Sequence, residues 1–316
     1  MSLFAEIRQA AEQVARTGRF VRSSADGVER LTAELAATEV GPTLDPARSG
    51  FGDDPLDLAY AITMNAINFG SGWFPVLKKR PGRSGYLSLA AALAERFENA
   101  GPWSAAELVK LDGPACALVL DQAGQAEAAP LMELYAEALR ALGTFLERWD
   151  GRFEGPVEAA DGSAERLVRL LAEMPFYRDV ASHRGLVVPF YKRAQITVSD
   201  LAETFGGAGW GHFRDLDSLT MFADNLVPHT LRMKGVLLFV PELTARIDRG
   251  ERLESGSPEE VEIRALGVYA VERLVRSLGE VGVTTTAHAL DHRLWDLGQS
   301  ASIKAVPRHR TRCTFY

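Results

Sequence analysis

Ser257-Pro-Glu-Glu-Val-Glu-Ile-Arg-Ala-Leu-Gly-Val-Tyr-Ala-Val-Glu-Arg-Leu274 opens like a helix and continues like a buried one. Serine is a favoured cap, proline suits the first helical position, and two glutamates face the positive end of the helix dipole. Val261, Ile263, Leu266, Val268, Ala270, Val271 and Leu274 then spread over more than one face. A helix that is apolar on more than one side belongs inside a fold, with other elements around it.

The same period recurs on either side. Leu3, Ile7, Ala10, Ala11 and Val14 repeat at three- and four-residue spacing. Ser104-Ala-Ala-Glu107 reads as a capping box before Leu108 and Leu111. Further helices are expected near residues 26–38, 55–68, 84–98, 129–149, 163–173, 192–205, 217–233 and 285–298. Extended signals are confined to 186–188, 236–240 and the tail 311–316. The expected fold is therefore mainly α with a few short strands, as one domain over residues 1–316. Residues 151–162, rich in Gly, Pro and acidic side chains, are the best place for a soft boundary or a long internal loop.

The chain has 316 residues, 47% hydrophobic and 24% charged, which suits a folded protein. A net charge of −7 opposes a nucleic-acid surface, although a local basic cluster can still hold one phosphate. Two cysteines, Cys116 and Cys313, make neither a disulfide framework nor a metal site. With no signal-peptide core at the N-terminus and no membrane-length apolar run, a cytoplasmic location and no membrane partner are expected. Dinucleotide and P-loop fingerprints are missing, so no cofactor is expected. Gly206-Gly-Ala-Gly209 follows a helical pattern and reads as a helix stop and turn. His288 and His292 have a zinc-compatible spacing but lack an H-E-x-x-H context, and no metal is expected.

Four segments carry chemistry. Phe213-Arg-Asp-Leu-Asp-Ser-Leu-Thr-Met-Phe-Ala-Asp-Asn-Leu-Val-Pro228 places Asp215, Asp217 and Asp224 in apolar surroundings. Asp217, ahead of an apolar run, reads as the helix cap. Asp224 is either a cap or a carboxylate kept dry for chemistry. Asn65 and Asn68, near a helix end, either bind the edge of a heterocycle or cap the helix. Lys192 opens a helix against its dipole, which a bound phosphate would explain and a solvated surface charge would not need to. Asp291, Trp295 and Asp296 lie on neighbouring helical faces. The tail Pro307-Arg-His-Arg-Thr-Arg-Cys-Thr-Phe-Tyr316 combines three arginines and a histidine with apolar residues, and is expected to dock.

On these residues the chain resembles the queuosine salvage family, the queuosine 5′-phosphate N-glycosylase/hydrolases. The resemblance runs nearly end to end. It rests on Asn68-Phe69, Ser84-Gly-Tyr86, Tyr177-Arg-Asp179, Phe190-Tyr-Lys-Arg-Ala-Gln-Ile196, Phe213 with Asp215, Leu219-Thr-Met-Phe-Ala-Asp224, Glu260-Val-Glu-Ile-Arg264, Asp291 with Leu294-Trp-Asp296, and His309-Arg310 with Arg312. Asn225, Leu226 and His229 depart from the family's pattern. The resemblance implies a helical fold akin to helix-hairpin-helix DNA glycosylases and release of queuine from queuosine 5′-monophosphate. It makes Asp224 the catalytic carboxylate, with Asp291 the second choice or a ligand to the queuine side chain. Phe213 would stack on the base and Asp215 would take its N1–H and 2-amino edge. Lys192, His309 and Arg310 would hold the phosphate, and Asn68, Trp295 and Asp296 would line the site. Two other functions compete: a glycosylase acting on a flipped base in nucleic acid, and a non-catalytic 7-deazaguanine-binding protein.

Overall fold

The computed structural model describes residues 1–38, 50–51 and 54–316. Its helices and strands run in the order α1 (Leu3–Thr17), β1 (Val21–Ser23), α2 (Ala25–Ala36), α3 (Asp54–Ala66) and α4 (Gly85–Ala100). There follow α5 (Ala105–Leu108), α6 (Gly113–Val119), α7 (Ala129–Leu146), α8 (Glu154–Ala160) and α9 (Ala164–Leu171). Then come β2 (Val180–His183), β3 (Leu186–Pro189), α10 (Lys192–Thr204), α11 (Val227–Met233) and β4 (Leu237–Phe239). The chain closes with α12 (Pro241–Asp248), α13 (Pro258–Glu280), α14 (Ala287–Gly298) and α15 (Ala301–Lys304). The fold is mainly α, with two two-stranded antiparallel sheets, β1–β4 and β2–β3.

These elements form two compact units, each assembled from three separate stretches of chain. The described residues of the first are 1–38, 179–192 and 217–312; those of the second are 50–51, 54–178, 193–216 and 313–316. In the first unit α13 is the central helix that its sequence predicts. Ser257 caps it by accepting from the Glu260 N–H, and α1, α2, α11 and α14 pack around it. The α1 stripe of Leu3, Ile7, Ala10, Ala11 and Val14 is buried throughout. Burial of a leucine or valine side chain is worth about 1.5–3 kcal/mol, so this stripe fixes α1 against α13.

A carboxylate in such a core needs partners. Glu262 has them: it accepts from the backbone N–H groups of Arg19, Phe20 and Val21, and so turns the chain into β1. Gly298 lets α14 approach α11, because a Cβ there would lie 2.6 Å from Thr230 Oγ1. The β2–β3 turn uses Arg184 and Gly185, both at positive φ, as a tight two-residue hairpin requires.

The second unit is built on α7, which packs against α3, α5 and α6. The Ser104–Glu107 capping box forms, although the helix it starts is only four residues long. The tail docks: Cys313 and Tyr316 are buried, and the Tyr316 carbonyl accepts from Gly70 and Ser71. It forms no strand, which corrects the extended reading of 311–316; its neighbour Arg310 makes a single bridge with Arg252. Residues 151–162 lie wholly within this unit and contain α8. After α10 the glycine run turns as expected, with Gly206, Gly207 and Gly209 at positive φ.

One helix expectation fails in an informative way. No helix spans 217–233. A 3₁₀ turn covers Leu216–Ser218, residues 219–226 run irregularly, and α11 begins only at Val227. Pro228 is the reason, since proline is tolerated only in the first turn of a helix. Asp217 is therefore not a helix cap; it is exposed within the 3₁₀ turn.

Candidate functional site

Residues 219–226, all buried except the partly exposed Asp224, lack regular backbone pairing, so their polar groups must find other partners. Polar and ionisable side chains supply them. The Arg8 guanidinium donates to the carbonyls of Ser218 and Leu219. Asp291 Oδ1 accepts from the Phe222 N–H at 3.0 Å. Arg264 Nε donates to the Ala223 carbonyl at 2.9 Å. The Asn225 amide reaches the His309 carbonyl at 3.4 Å. The segment is thus suspended from α1, α13, α14 and the chain after α15, and it presents Asp224.

Asp224 anchors the start of a helix, one of the two readings its sequence allows. Its Oδ1 accepts from the N–H groups of Leu226 and Val227, both at 2.9 Å, and so holds the start of α11. The described residues offer Oδ2 no hydrogen bond, and the side chain keeps partial solvent access. Burial pushes the Asp224 carboxyl above its ordinary range; the Lys192 charge, the two N–H donors and Arg308 oppose that rise. Asp291 on α14 is only 4% exposed. Burial, and then the charge of Asp224, lift its carboxyl well above the usual carboxylate range. Both carboxyls are thus pushed towards the protonated form, Asp291 the more strongly, and of the two Asp224 is the member favoured as the anion.

Lys192 is the first residue of α10 and is 6% exposed, which excludes a solvated surface charge. Its ammonium favours the ionised forms of both Asp224 and Asp291. These carboxylates answer the question of a lysine at a positive helix end: the counter-charge is supplied by the protein. Arg308 is a charged neighbour of Asp224 that the sequence did not single out. It is half-buried, and its charge and that of Asp224 support each other. Nothing in Pro307-Arg-His-Arg310 distinguishes it from its neighbours. His309 is buried, and burial followed by the charge of Arg308 takes its pKa down to about 3. It is neutral across the physiological range. Arg310 is exposed and engaged through its carbonyl, which accepts from Leu253.

Trp295 is half-buried, and its carbonyl accepts from Gln299. Asp296 turns away from Asp291, as five residues of helix (about 140° of net rotation) require. It lines a cavity of about 680 Å³ together with Met233, Lys234, Arg293 and Leu297. The two histidines of α14 have local tasks: His288 Nδ1 meets Thr286 Oγ1 at 3.0 Å, and the His292 ring packs edge-on to Phe222. His229, one of the unusual residues, is buried, with Nε2 3.1 Å from the Ile303 carbonyl.

Phe213, Asp215 and Asn68 belong to the second unit. Phe213 is buried. Asp215 holds the start of α9: Oδ1 accepts from the Ala164 N–H at 2.6 Å, and Oδ2 from the Glu165 N–H and the Ser163 hydroxyl, both at 3.1 Å. A carboxylate so engaged has little acceptor capacity left for the edge of a base. Asn68 is half-buried and donates to Asn65 Oδ1, while Asn65 donates onward to the Ala61 carbonyl and Asp200.

The comparisons with known proteins agree with one another. The sequence profile of the queuosine salvage proteins matches residues 51–316. A queuosine 5′-phosphate N-glycosylase/hydrolase of Sphaerobacter thermophilus is 39% identical over 298 residues, covering 92% of this chain and 91% of that protein. The protein of the same name from Bos taurus is 33% identical, with 98% of each chain covered. The one from Mus musculus is 32% identical, also with 98% of each covered. With a profile match over most of its length and relatives that span it almost completely, the chain belongs to the queuosine salvage protein family.

Proposed function

We propose that this protein hydrolyses the N-glycosidic bond of queuosine 5′-monophosphate, releasing queuine and ribose 5-phosphate, with Asp224 as the catalytic carboxylate. One observation carries the assignment. Asp224 has one oxygen fixed by two backbone N–H groups and the other without a hydrogen bond from the described residues, in a setting that strengthens its field. The names of the relatives support the substrate and the reaction.

Cleavage of the bond builds positive charge on the ribose C1′ and ring oxygen. A fixed anion beside that carbon stabilises the transition state and takes a proton from the attacking water. The water oxygen forms the new bond to C1′, and the electron pair of the broken bond leaves on the base nitrogen. A 7-deazapurine has no N7 lone pair to protonate, so its departure needs a donor elsewhere. Asp291, whose carboxyl burial and the Asp224 charge push towards the protonated form, is suited to be such a donor, and carboxyls whose environments differ in this way are a usual sign of paired roles. Lys192 sustains the Asp224 charge. Arg308, with the more exposed Arg310, is suited to the 5′-phosphate; neutral His309 can add a hydrogen bond.

Lys192 opens α10 and Asp224 holds the start of α11, the next α-helix in the chain. Lysine before aspartate on successive helix starts is the order found in helix-hairpin-helix glycosylases, an analogy of fold rather than of substrate. The net charge of −7 favours a free nucleotide over nucleic acid. The absence of a membrane-length apolar helix among the described residues and two unpaired cysteines accord with a cytoplasmic enzyme.

The test is product release from purified protein. Queuosine 5′-monophosphate should yield free queuine over many turnovers, faster than the nucleoside does. Stoichiometric binding without release would make this a binding protein. Queuine or another base released from intact tRNA or DNA, with a gel shift at low salt, would support the nucleic-acid alternative.

A further inference from the structure

We propose that Arg264 and Asp179 form a positioning clamp that sets Lys192 and Asp224 against each other; the inference rests on the catalytic reading of those two residues. The candidate catalytic groups sit on different elements, one at the start of α10 and one in the irregular segment 219–226. Something must fix the distance between the two backbones. Asp179 and Arg264 touch both.

Arg264 projects from α13 and is 1% exposed. Its Nη1 donates to Asp179 Oδ1 at 3.0 Å and its Nη2 to Asp179 Oδ2 at 2.6 Å. The third nitrogen, Nε, donates to the carbonyl of Ala223, the residue immediately before Asp224. Asp179 Oδ2 in turn accepts from the backbone N–H of Lys192 at 3.2 Å, and the Asp179 carbonyl accepts from Phe190 and Tyr191. The covalent neighbours of both catalytic groups therefore hang on one planar ion pair. The Phe190 ring lies 4.0 Å from the guanidinium carbon and fixes its plane. Glu260 Oε1, one helical turn away, stands 3.6 Å from Nη1 and adds negative charge without replacing the fork.

Two features say that geometry is the purpose. First, a buried ion pair is poor value as a stabiliser, since apolar residues of similar size do as well or better. Second, Tyr191 sits at φ 48°, a left-handed conformation that a bulky residue adopts only when its surroundings impose it. The imposed bond is the one from the Tyr191 N–H to the Asp179 carbonyl, and it aims the next residue, Lys192. A lysine at 264 could keep the charge but could not make three directed bonds from one plane.

The charged groups that act on Asp224 are Lys192 from α10, Asp291 from α14 and Arg308 from the chain after α15. If the clamp loosens, Lys192 drifts, and Asp224 loses the largest influence that keeps it ionised. The acid limb of the rate profile should then move to higher pH. A purely structural pair would lower the amount of folded protein and leave that limb in place.

The experiment compares Arg264→Lys, Asp179→Asn and the milder Phe190→Leu with the wild type, on queuosine 5′-monophosphate, with rates counted per folded molecule. The expected result is a 10- to 100-fold fall in kcat for Arg264→Lys and Asp179→Asn, KM within about threefold, and an acid limb displaced upward. Phe190→Leu should show the same pattern more weakly. Wild-type kcat and an unmoved acid limb in the folded fraction of any two variants would overturn the clamp. If Arg264→Lys does not fold, the other two decide. Failure of the catalytic reading looks different: the wild type would not turn over, or Asp224→Asn would retain its rate.

Discussion

Replacing Asp224 with asparagine removes one charge and almost nothing else. The amide oxygen can still accept from Leu226 and Val227, and asparagine ranks with aspartate at helix starts, so α11 keeps its anchor. What disappears is the anion proposed to face C1′. An ion pair at about 4 Å is worth about 4 kcal/mol at the effective dielectric of a partly buried site. That corresponds to roughly a thousandfold in rate. Loss of the proton acceptor for water adds to the deficit, because general-base catalysis contributes about 10²–10⁴-fold by itself. The expected fall in kcat/KM is therefore about a thousandfold or more, read as queuine released from queuosine 5′-monophosphate.

Stability should move the other way. The folded-state pKa of Asp224 is raised, chiefly by burial. A group raised in the folded state gives stability that is complete below its unfolded pKa and lost as pH rises through its folded pKa. At neutral pH the ionised carboxylate is a cost, and the neutral amide removes it. Asp224→Asn should therefore melt at or above the wild-type temperature while being nearly inactive. A variant within tenfold of wild-type kcat/KM would refute the assignment. So would a loss of activity that tracked a fall in melting temperature. An Asp291→Asn variant far more damaged than Asp224→Asn would transfer the catalytic role to Asp291.

Other outcomes follow from the same geometry. Asp291→Asn should be more stable than the wild type at pH 8, with the gain vanishing towards pH 4, because the raised Asp291 carboxyl loses stability only as pH climbs through its folded pKa; chemical denaturation across pH measures this. Arg308→Ala should raise KM for the 5′-monophosphate more than for the nucleoside; equal effects on the two would remove the phosphate role. Lys192→Ala should lower kcat and shift the acid limb upward, since Lys192 opposes the rise of Asp224; an unmoved limb would detach it from the carboxylate. Asp215→Ala should cost about 1–2 kcal/mol through the start of α9. Its kcat should stay close to wild type, and a large kcat loss in fully folded protein would restore a direct role at the base.

The legible parts of this chain are those whose signals are local. Ser257-Pro and the Ser104–Glu107 box each announce a helix within a few residues, and each caps one, as Ser84 and Ser163 do for α4 and α9. The illegible parts are those whose partners are distant. Residues 219–226 have helical composition, but their backbone bonds are made by Arg8, Arg264 and Asp291, which no local pattern connects to them. Helix α8 hides in a Gly- and Pro-rich stretch because Gly155 and Pro156 fall in its first turn, where proline is tolerated. Asp224, Asp291 and Lys192 stand out as charges in apolar sequence. Arg308 does not, since the tail around it is basic throughout. The helix-anchoring task of Asp215 is illegible for a physical reason: a carboxylate beside a buried aromatic looks the same in sequence whether it meets a ligand or the start of a helix.

The irregular segment also explains how two carboxylates can share one largely buried site. Had residues 219–226 been helical, their N–H and carbonyl groups would have been consumed internally. Left unpaired and buried, they demand partners, and the partners are ionisable groups that would otherwise have no reason to enter the core. Asp291 comes in to accept from Phe222, and Arg264 to donate to Ala223. Asp224, between these contacts and α11, keeps one oxygen for its own helix and presents the other. The same bonds that hold the backbone thus bring Asp291 close enough for Asp224 to raise its pKa. Structure and chemistry are coupled at this point, so Asp291→Ala should lose more than the proton donor. It leaves the Phe222 N–H without its acceptor, at about 1–3 kcal/mol, while Asp291→Asn keeps that acceptor. Comparing the two variants separates the support of the segment from the chemistry of the acid: equal activity in both would mean that Asp291 acts only through its proton.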